Sequence, residues 1–286
     1  MGLNKVKECR FEIDGMELAG RIYGDSTGLP VLAMHGWLDN CASFEPISKG
    51  LNGIQLLAID MPGHGLSSHW PPHSPINIWD DLPLLLGLVD QLGWDQFAII
   101  GHSRGAGIAT LFSACFSDRV NKLVLLDGGP PLANNAEDSV KQLAKASKAW
   151  TQRHRKRTPS YSTYEQALEA RKRAVGSISE EAAVLLLERG LIEIESGYQW
   201  RTDPLLTVPS MLMLTPEQSE QFTRQIDAPV CMVLAEGGRI AKSEMFDQLT
   251  ERFKDIETHQ LTGGHHLHME QQAPAVADII NRFLQD

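Results

Sequence analysis

The chain has 286 residues, 42% of them hydrophobic and 22% charged. That is a globular composition with enough apolar material for one large domain, or a domain with an insertion. A formal net charge of −10 excludes nucleic acid and anionic membranes as main partners. Cys9, Cys41, Cys115 and Cys231 are scattered and form no Cys-x-x-Cys pair. Cys115 and Cys231 fall at buried-looking helix and strand positions, so the set reads as free thiols in a reducing compartment. The first residues carry Lys5, Lys7, Glu8 and Arg10 without an apolar stretch, and no run reaches transmembrane length. The expectation is a cytoplasmic protein.

Residues 10–13 and 17–23 alternate apolar and polar around Asp14-Gly15, which predicts an antiparallel hairpin at a sheet edge. Val31, Leu32, Ala33 and Met34 form a short, continuous apolar run, as a fully buried strand requires. It ends in His35-Gly36-Trp37-Leu38-Asp39-Asn40. Residues 54–59 repeat that pattern and lead into Asp60-Met61-Pro62-Gly63-His64-Gly65-Leu66-Ser67. From Asp81 a helix places Leu82, Leu85, Leu86 and Val89 on one face, with Pro83 tolerated in its first turn.

The next apolar run enters Ile99-Ile100-Gly101-His102-Ser103-Arg104-Gly105-Ala106-Gly107. Ser103 has glycine two places to either side. That is the pattern of a nucleophile elbow, a strained strand-to-helix turn in which two backbones pass too closely for side chains. The helix after it sets Ile108, Leu111, Phe112 and Cys115 on one face. Val120, Leu123, Val124, Leu125 and Leu126 then form another buried strand, ending in Asp127-Gly128-Gly129-Pro130-Pro131. Ser103 is thereby placed at the C-terminal end of a strand in a parallel βαβ unit, where open α/β sheets hold their ligands.

Residues 132–225 show no buried parallel strand and are amphipathic, rich in Lys, Arg, Glu and Ala. Ser162-x-x-Glu165 and Ser177-x-x-Glu180 look like capping boxes. This stretch reads as a helical insertion capping a core built from residues 1–131 and 226–286. Its basic run, residues 153–157, reads as a solvated helix face. Residues 229–234 return to a buried strand, Met245, Leu249 and Phe253 mark a helix, and residues 256–261 form the last strand. Gly263-Gly264-His265-His266-Leu267-His268-Met269-Glu270 follows. A closing helix carries Ala273, Val276, Ala277 and Ile280.

Taken in order, His35-Gly36, Asp60-x-Pro-Gly-His-Gly-x-Ser67, Gly101-His-Ser-x-Gly105 and the late Gly264-His265 resemble the α/β-hydrolase family. The stretches 35–44 and 264–270 most resemble its serine-hydrolase-like subgroup. The resemblance runs from about Val31 to the C-terminus, apart from most of the insertion. It implies a mostly parallel eight-stranded sheet with helices on both faces and a helical cap. It also implies Ser103 as nucleophile, His265 as general base five residues before Glu270, and an oxyanion hole made by the backbone N–H groups of Trp37 and Arg104. A serine here disfavours the haloalkane dehalogenase and epoxide hydrolase branches, which need a carboxylate nucleophile.

The sequence departs from the family at the acid. The usual Asp just past the 229–234 strand is missing, and Glu236-Gly237-Gly238-Arg239 stands there. The candidates are Asp127, at the end of the strand after the nucleophile helix, and Glu236 as the alternative acid. The implied activity is a carboxylesterase-like serine hydrolase cleaving a small ester through an acyl-enzyme, needing no cofactor and no metal. The implied partner is a small-molecule acyl substrate, and the implied state is a monomer or homodimer. A C–C hydrolase or perhydrolase with the same triad, or a catalytically weak binding protein, remains open.

Overall fold

A computed structural model describes residues 6–174, 176–238, 240–241 and 250–285. Asp14 and Gly15 both have positive φ, 49° and 77°, as the tightest hairpin turn requires. They join β1 (Lys7–Ile13) to β2 (Met16–Gly24) in antiparallel register. The buried runs become β3 (Leu29–Met34), β4 (Ile54–Ile59), β5 (Phe97–His102), β6 (Val120–Leu126) and β10 (Val230–Ala235), and the last strand, β11 (Ile256–Leu261), is partly exposed along its length. The eight strands order as β1-β2-β4-β3-β5-β6-β10-β11. Only the β1–β2 and β2–β4 pairings are antiparallel. β3 lies between β4 and β5, so the chain reverses its direction of travel there. The C-terminal ends of β3 and β5 therefore flank a crevice, the usual ligand position in an open α/β sheet.

Alternation along the strands feeds two cores. Leu32 and Met34 join Leu84, Leu85, Leu88 and Phe112 on one face. Val31 and Ala33 join Ile47, Val276, Ala277 and Ile280 on the other. Helices α2 (Asp81–Gln91) and α3 (Arg104–Cys115) cover the first face. Helices α1 (Glu45–Ser48) and α8 (Ala273–Gln285) cover the second.

Three helix expectations are corrected. α2 buries Leu84, Leu85, Leu88 and Val89, whereas Leu82 and Leu86 are only partly buried. The apolar residues of that leucine-rich helix fit two overlapping stripes, and the sheet selects one. α3 is buried around most of its circumference from Gly105 to Ser113, and Cys115 is exposed at its end. The buried thiols are Cys41 and Cys231. Phe253 is buried outside a helix, and Met245 and Leu249 lie outside the described residues.

Residues 132–225 hold α4 (Ser139–Thr151), α5 (Tyr164–Lys172), α6 (Glu180–Gly190) and α7 (Pro216–Arg224). They also hold a small antiparallel sheet of β7 (Ser160–Tyr161), β8 (Leu191–Ile194) and β9 (Gly197–Trp200), so the stretch is not purely helical. Strands this short carry too few residues to show a period. The caps fall later than the Ser-x-x-Glu pairs suggest. Thr163 caps α5 and Ser179 caps α6 through their hydroxyls, while Ser177 sits at φ 32° in the turn before. α7 packs against α3. Among the described residues no helix is long and apolar enough to cross a membrane.

Asp60 anchors α6 to the core. Its carboxylate accepts the N–H groups of Cys41 and Leu66 at 2.8 and 2.7 Å and Nε of Arg189 at 2.7 Å. Both side chains are buried, at 0% and 3% exposure, so removing the cation leaves a desolvated carboxylate without its counter-charge. Arg189→Ala is expected to lower unfolding free energy by about 3 kcal/mol, read as a lower urea midpoint. Removing Glu8, the exposed second partner of Arg189, should cost well under 1 kcal/mol.

Candidate active site

Ser103 stands between β5 and α3 with φ 52° and ψ −113°, a conformation strained for any residue but glycine. The turn survives because the backbones around it pass at contact distance. A Cβ on Gly105 would meet Met34 O at 2.1 Å, and one on Gly101 would meet Gly105 O at 2.6 Å. Ser103 N donates to Leu126 O at 3.2 Å, tying the elbow to the end of β6.

Asp127 follows directly. Its side chain is 1% exposed and its Oδ2 lies 2.5 Å from Nδ1 of His265. Its Oδ1 accepts the N–H of Ala235 at 3.1 Å, and its own N–H donates to Val233 O at 2.8 Å. The carboxylate is thus held by β10 and aimed at the imidazole. Glu236 is exposed, and it is not among the residues lining the cleft that holds Ser103, Asp127 and His265. Gly238, where the family's usual Asp would fall, explains the departure. A Cβ there would stand 2.2 Å from Asp127 Oδ1 and 2.6 Å from Oδ2. The two positions address one space, so only one can carry a carboxylate.

The loops after β3 and β4 are locked by two neutral histidines. His35 Nε2 accepts the N–H of Met61 at 2.9 Å and its Nδ1 donates to Gly36 O at 2.7 Å. His64 Nε2 accepts the N–H of Leu38 at 3.2 Å and its Nδ1 donates to Pro62 O at 3.0 Å. This braces Trp37, which lines the cleft beside Arg104. Arg104 is the first residue of α3, so its N–H has no acceptor one turn back. Its guanidinium is engaged by buried Asp81 at 2.7 Å. Burial raises the Asp81 carboxyl, and Arg104 opposes that shift.

Behind His265 lies a cluster that sequence reasoning did not assemble. Asp39 Oδ1 accepts from Arg171 of α5 at 2.5 Å, and its Oδ2 lies 3.2 Å from Nε2 of His266. Burial works to raise the Asp39 carboxyl, but His266 and Arg171 outweigh it and hold the group well below the usual carboxylate range. Asp39 and Arg171 are 132 positions apart and Asp39 and His266 are 227 apart. The same region ties down the 132–225 stretch, since Ser179 N donates to Glu270 Oε1 at 2.8 Å.

Burial lowers the pKa of His35, His64, His102 and His268, that of His102 to about 4. In the unfolded chain these imidazoles take up protons near pH 6.5. Their contribution to stability is whole above that pH and is lost as pH falls toward the folded values. Each should remove about 1 kcal/mol per pH unit in that window. Urea unfolding at pH 5.5 and 7.5 should show the difference.

The cleft has a volume of about 1470 Å³ and a mainly apolar lining that includes Ile78, Trp79, Leu132, Leu206, Val208 and Met213. A smaller cavity of about 210 Å³ lies beyond Trp37 and is lined by Tyr161 and Trp200 of the 132–225 stretch.

The chain matches the family described as alpha/beta hydrolase fold over residues 30–272. It is 32% identical, over an alignment of 294 positions, to a serine hydrolase-like protein of Danio rerio, covering 98% of this chain and 89% of that one. A crystal structure of a hypothetical protein from Pseudomonas aeruginosa PAO1 is 40% identical with a TM-score of 0.95, covering 98% of this chain and all (100%) of that chain. The thioesterase domain from the curacin biosynthetic pathway, at 23% identity and a TM-score of 0.84, shares the fold over 97% of this chain and 99% of its own. A serine at a strained elbow on such a sheet defines the class. The chain belongs to the α/β-hydrolase family, in its serine hydrolase-like branch.

Proposed function

We propose that the protein hydrolyses carboxylic esters or closely related acyl compounds through an acyl-enzyme on Ser103. The observation that carries this reading is the 2.5 Å contact between Asp127 Oδ2 and His265 Nδ1, in the same cleft as Ser103. With Nδ1–H donated to Asp127, the free nitrogen of His265 is Nε2. That nitrogen takes the Ser103 proton as Oγ attacks the carbonyl, and returns it to the leaving group. The backbone N–H groups of Trp37 and Arg104 receive the developing oxyanion, a position where each donor is worth about 3 kcal/mol of barrier. Water then attacks the acyl-enzyme by the same route in reverse.

The apolar lining and the size of the cleft support an apolar acyl group longer than a short-chain ester requires. The pairing of Arg104 with Asp81 leaves that cation engaged, which favours an uncharged substrate over a dioate. The test is hydrolysis of p-nitrophenyl esters of increasing chain length, together with labelling by a fluorophosphonate probe. Activity that rises from short to medium chains and labelling at Ser103 are expected. A folded protein inert to every ester and to the probe would remove the reading.

A further inference from the structure

We propose that Asp39, His102 and His266 form a divalent transition-metal site, suited to zinc, directly behind the base-bearing loop. One ligand atom from each of these buried residues lies within 4.8 Å of the others. Asp39 Oδ2 is 3.2 Å from His266 Nε2 and 3.6 Å from His102 Nδ1. Four-coordinate zinc with bonds of about 2.0–2.1 Å sets its ligand atoms roughly 3.3–3.4 Å apart, close to both of these separations.

Proton counting points the same way. His102 Nε2 lies 3.0 Å from His265 O, and a carbonyl only accepts, so Nε2 carries the hydrogen. A neutral imidazole then presents Nδ1 as a lone pair. That lone pair faces Asp39 Oδ2, another acceptor, and Nδ1 is fully buried without a hydrogen-bond partner among the described residues. A cation between the two acceptors resolves the conflict.

The surroundings are those of a ligand set. His102 donates its single N–H, at Nε2, to a backbone carbonyl, which fixes tautomer and ring orientation as in metal sites generally. Arg171 occupies Asp39 Oδ1, so the carboxylate offers one oxygen, Oδ2. On binding, the His266 proton moves from Nε2 to Nδ1. Asp39 and His266 also line the Ser103 cleft, which supplies an entry path and a side from which water completes the coordination. Two imidazoles and one carboxylate suit zinc or cobalt over calcium or magnesium.

The test uses the full chain, stripped with chelator and titrated with Co²⁺ or Zn²⁺ alone. One equivalent bound, with the intense visible bands of four-coordinate Co²⁺, is expected. X-ray absorption on the zinc-loaded wild type should count two imidazoles and no sulfur. His266→Ala and Asp39→Asn should each weaken binding at least tenfold. Ser103→Ala should not. His259→Ala should not either, and it disables the other mixed cluster of Cys231, Glu257 and His259. No binding by the folded wild type, a sulfur ligand, or loss on His259→Ala would overturn the proposal. The wild-type absorption data decide the matter if a variant fails to fold.

Discussion

Asp127→Asn is expected to lower kcat for ester hydrolysis about 10⁴-fold, with Glu236→Gln within about twofold of wild type. The asparagine keeps the shape of the side chain but presents its amide or a weaker acceptor to His265 Nδ1. The imidazole then loses the tautomer that leaves Nε2 free for the serine proton, and the imidazolium formed on attack loses its counter-charge. The fold should persist, because the backbone N–H of Asp127 still donates to Val233 O. Gly238 extends the same argument. A methyl group there meets both carboxylate oxygens of Asp127, so Gly238→Ala should displace the acid and cost at least 10²-fold, a misplacement effect. The paired exchange Asp127→Gly with Gly238→Asp should recover part of that loss, since it delivers a carboxylate to the same space from the turn after β10. Steady-state kinetics of the four variants check this. Equal rates for Asp127→Asn and wild type would refute Asp127 as the acid.

Ser103→Ala is expected to remove turnover by about 10⁶-fold and to abolish fluorophosphonate labelling. No other hydroxyl can replace it without rebuilding the elbow, because φ 52° at this position is what lifts the side chain out of the sheet. The thermal midpoint should stay within a few degrees of wild type, as the hydroxyl caps no helix end and its loss opens no core cavity. Residual hydrolysis above the uncatalysed rate would come from the oxyanion donors and from binding. Intact-mass detection of the labelled adduct, and its absence in Ser103→Ala, is the check.

Much of the fold was legible because it is encoded locally. A strand buried on both faces must be a short apolar run, and residues 31–34, 54–59 and 229–234 could hardly be anything else. The Asp14-Gly15 turn and the Gly101–Gly105 elbow announce themselves through residues that only special backbone geometry needs. Features that depend on a choice between similar neighbours were not legible. Which leucines of α2 face the sheet, whether Ser177 or Ser179 caps α6, and the pairing of strands only two to four residues long all turn on contacts made elsewhere.

The sequence by itself determined the chemistry that sits on one continuous stretch: a serine at a glycine-flanked strand-to-helix corner, and an α/β architecture able to present it. The tertiary structure alone decided what depends on distant segments meeting. It brings Asp127, rather than Glu236, to His265 across 138 positions of chain, and it joins Asp39 to Arg171, His102 and His266. The physical reason is range. Backbone strain and apolar periodicity act over a few residues, whereas hydrogen bonds and ion pairs require side-chain atoms to meet within about 3–4 Å, a condition that only the packed sheet fulfils.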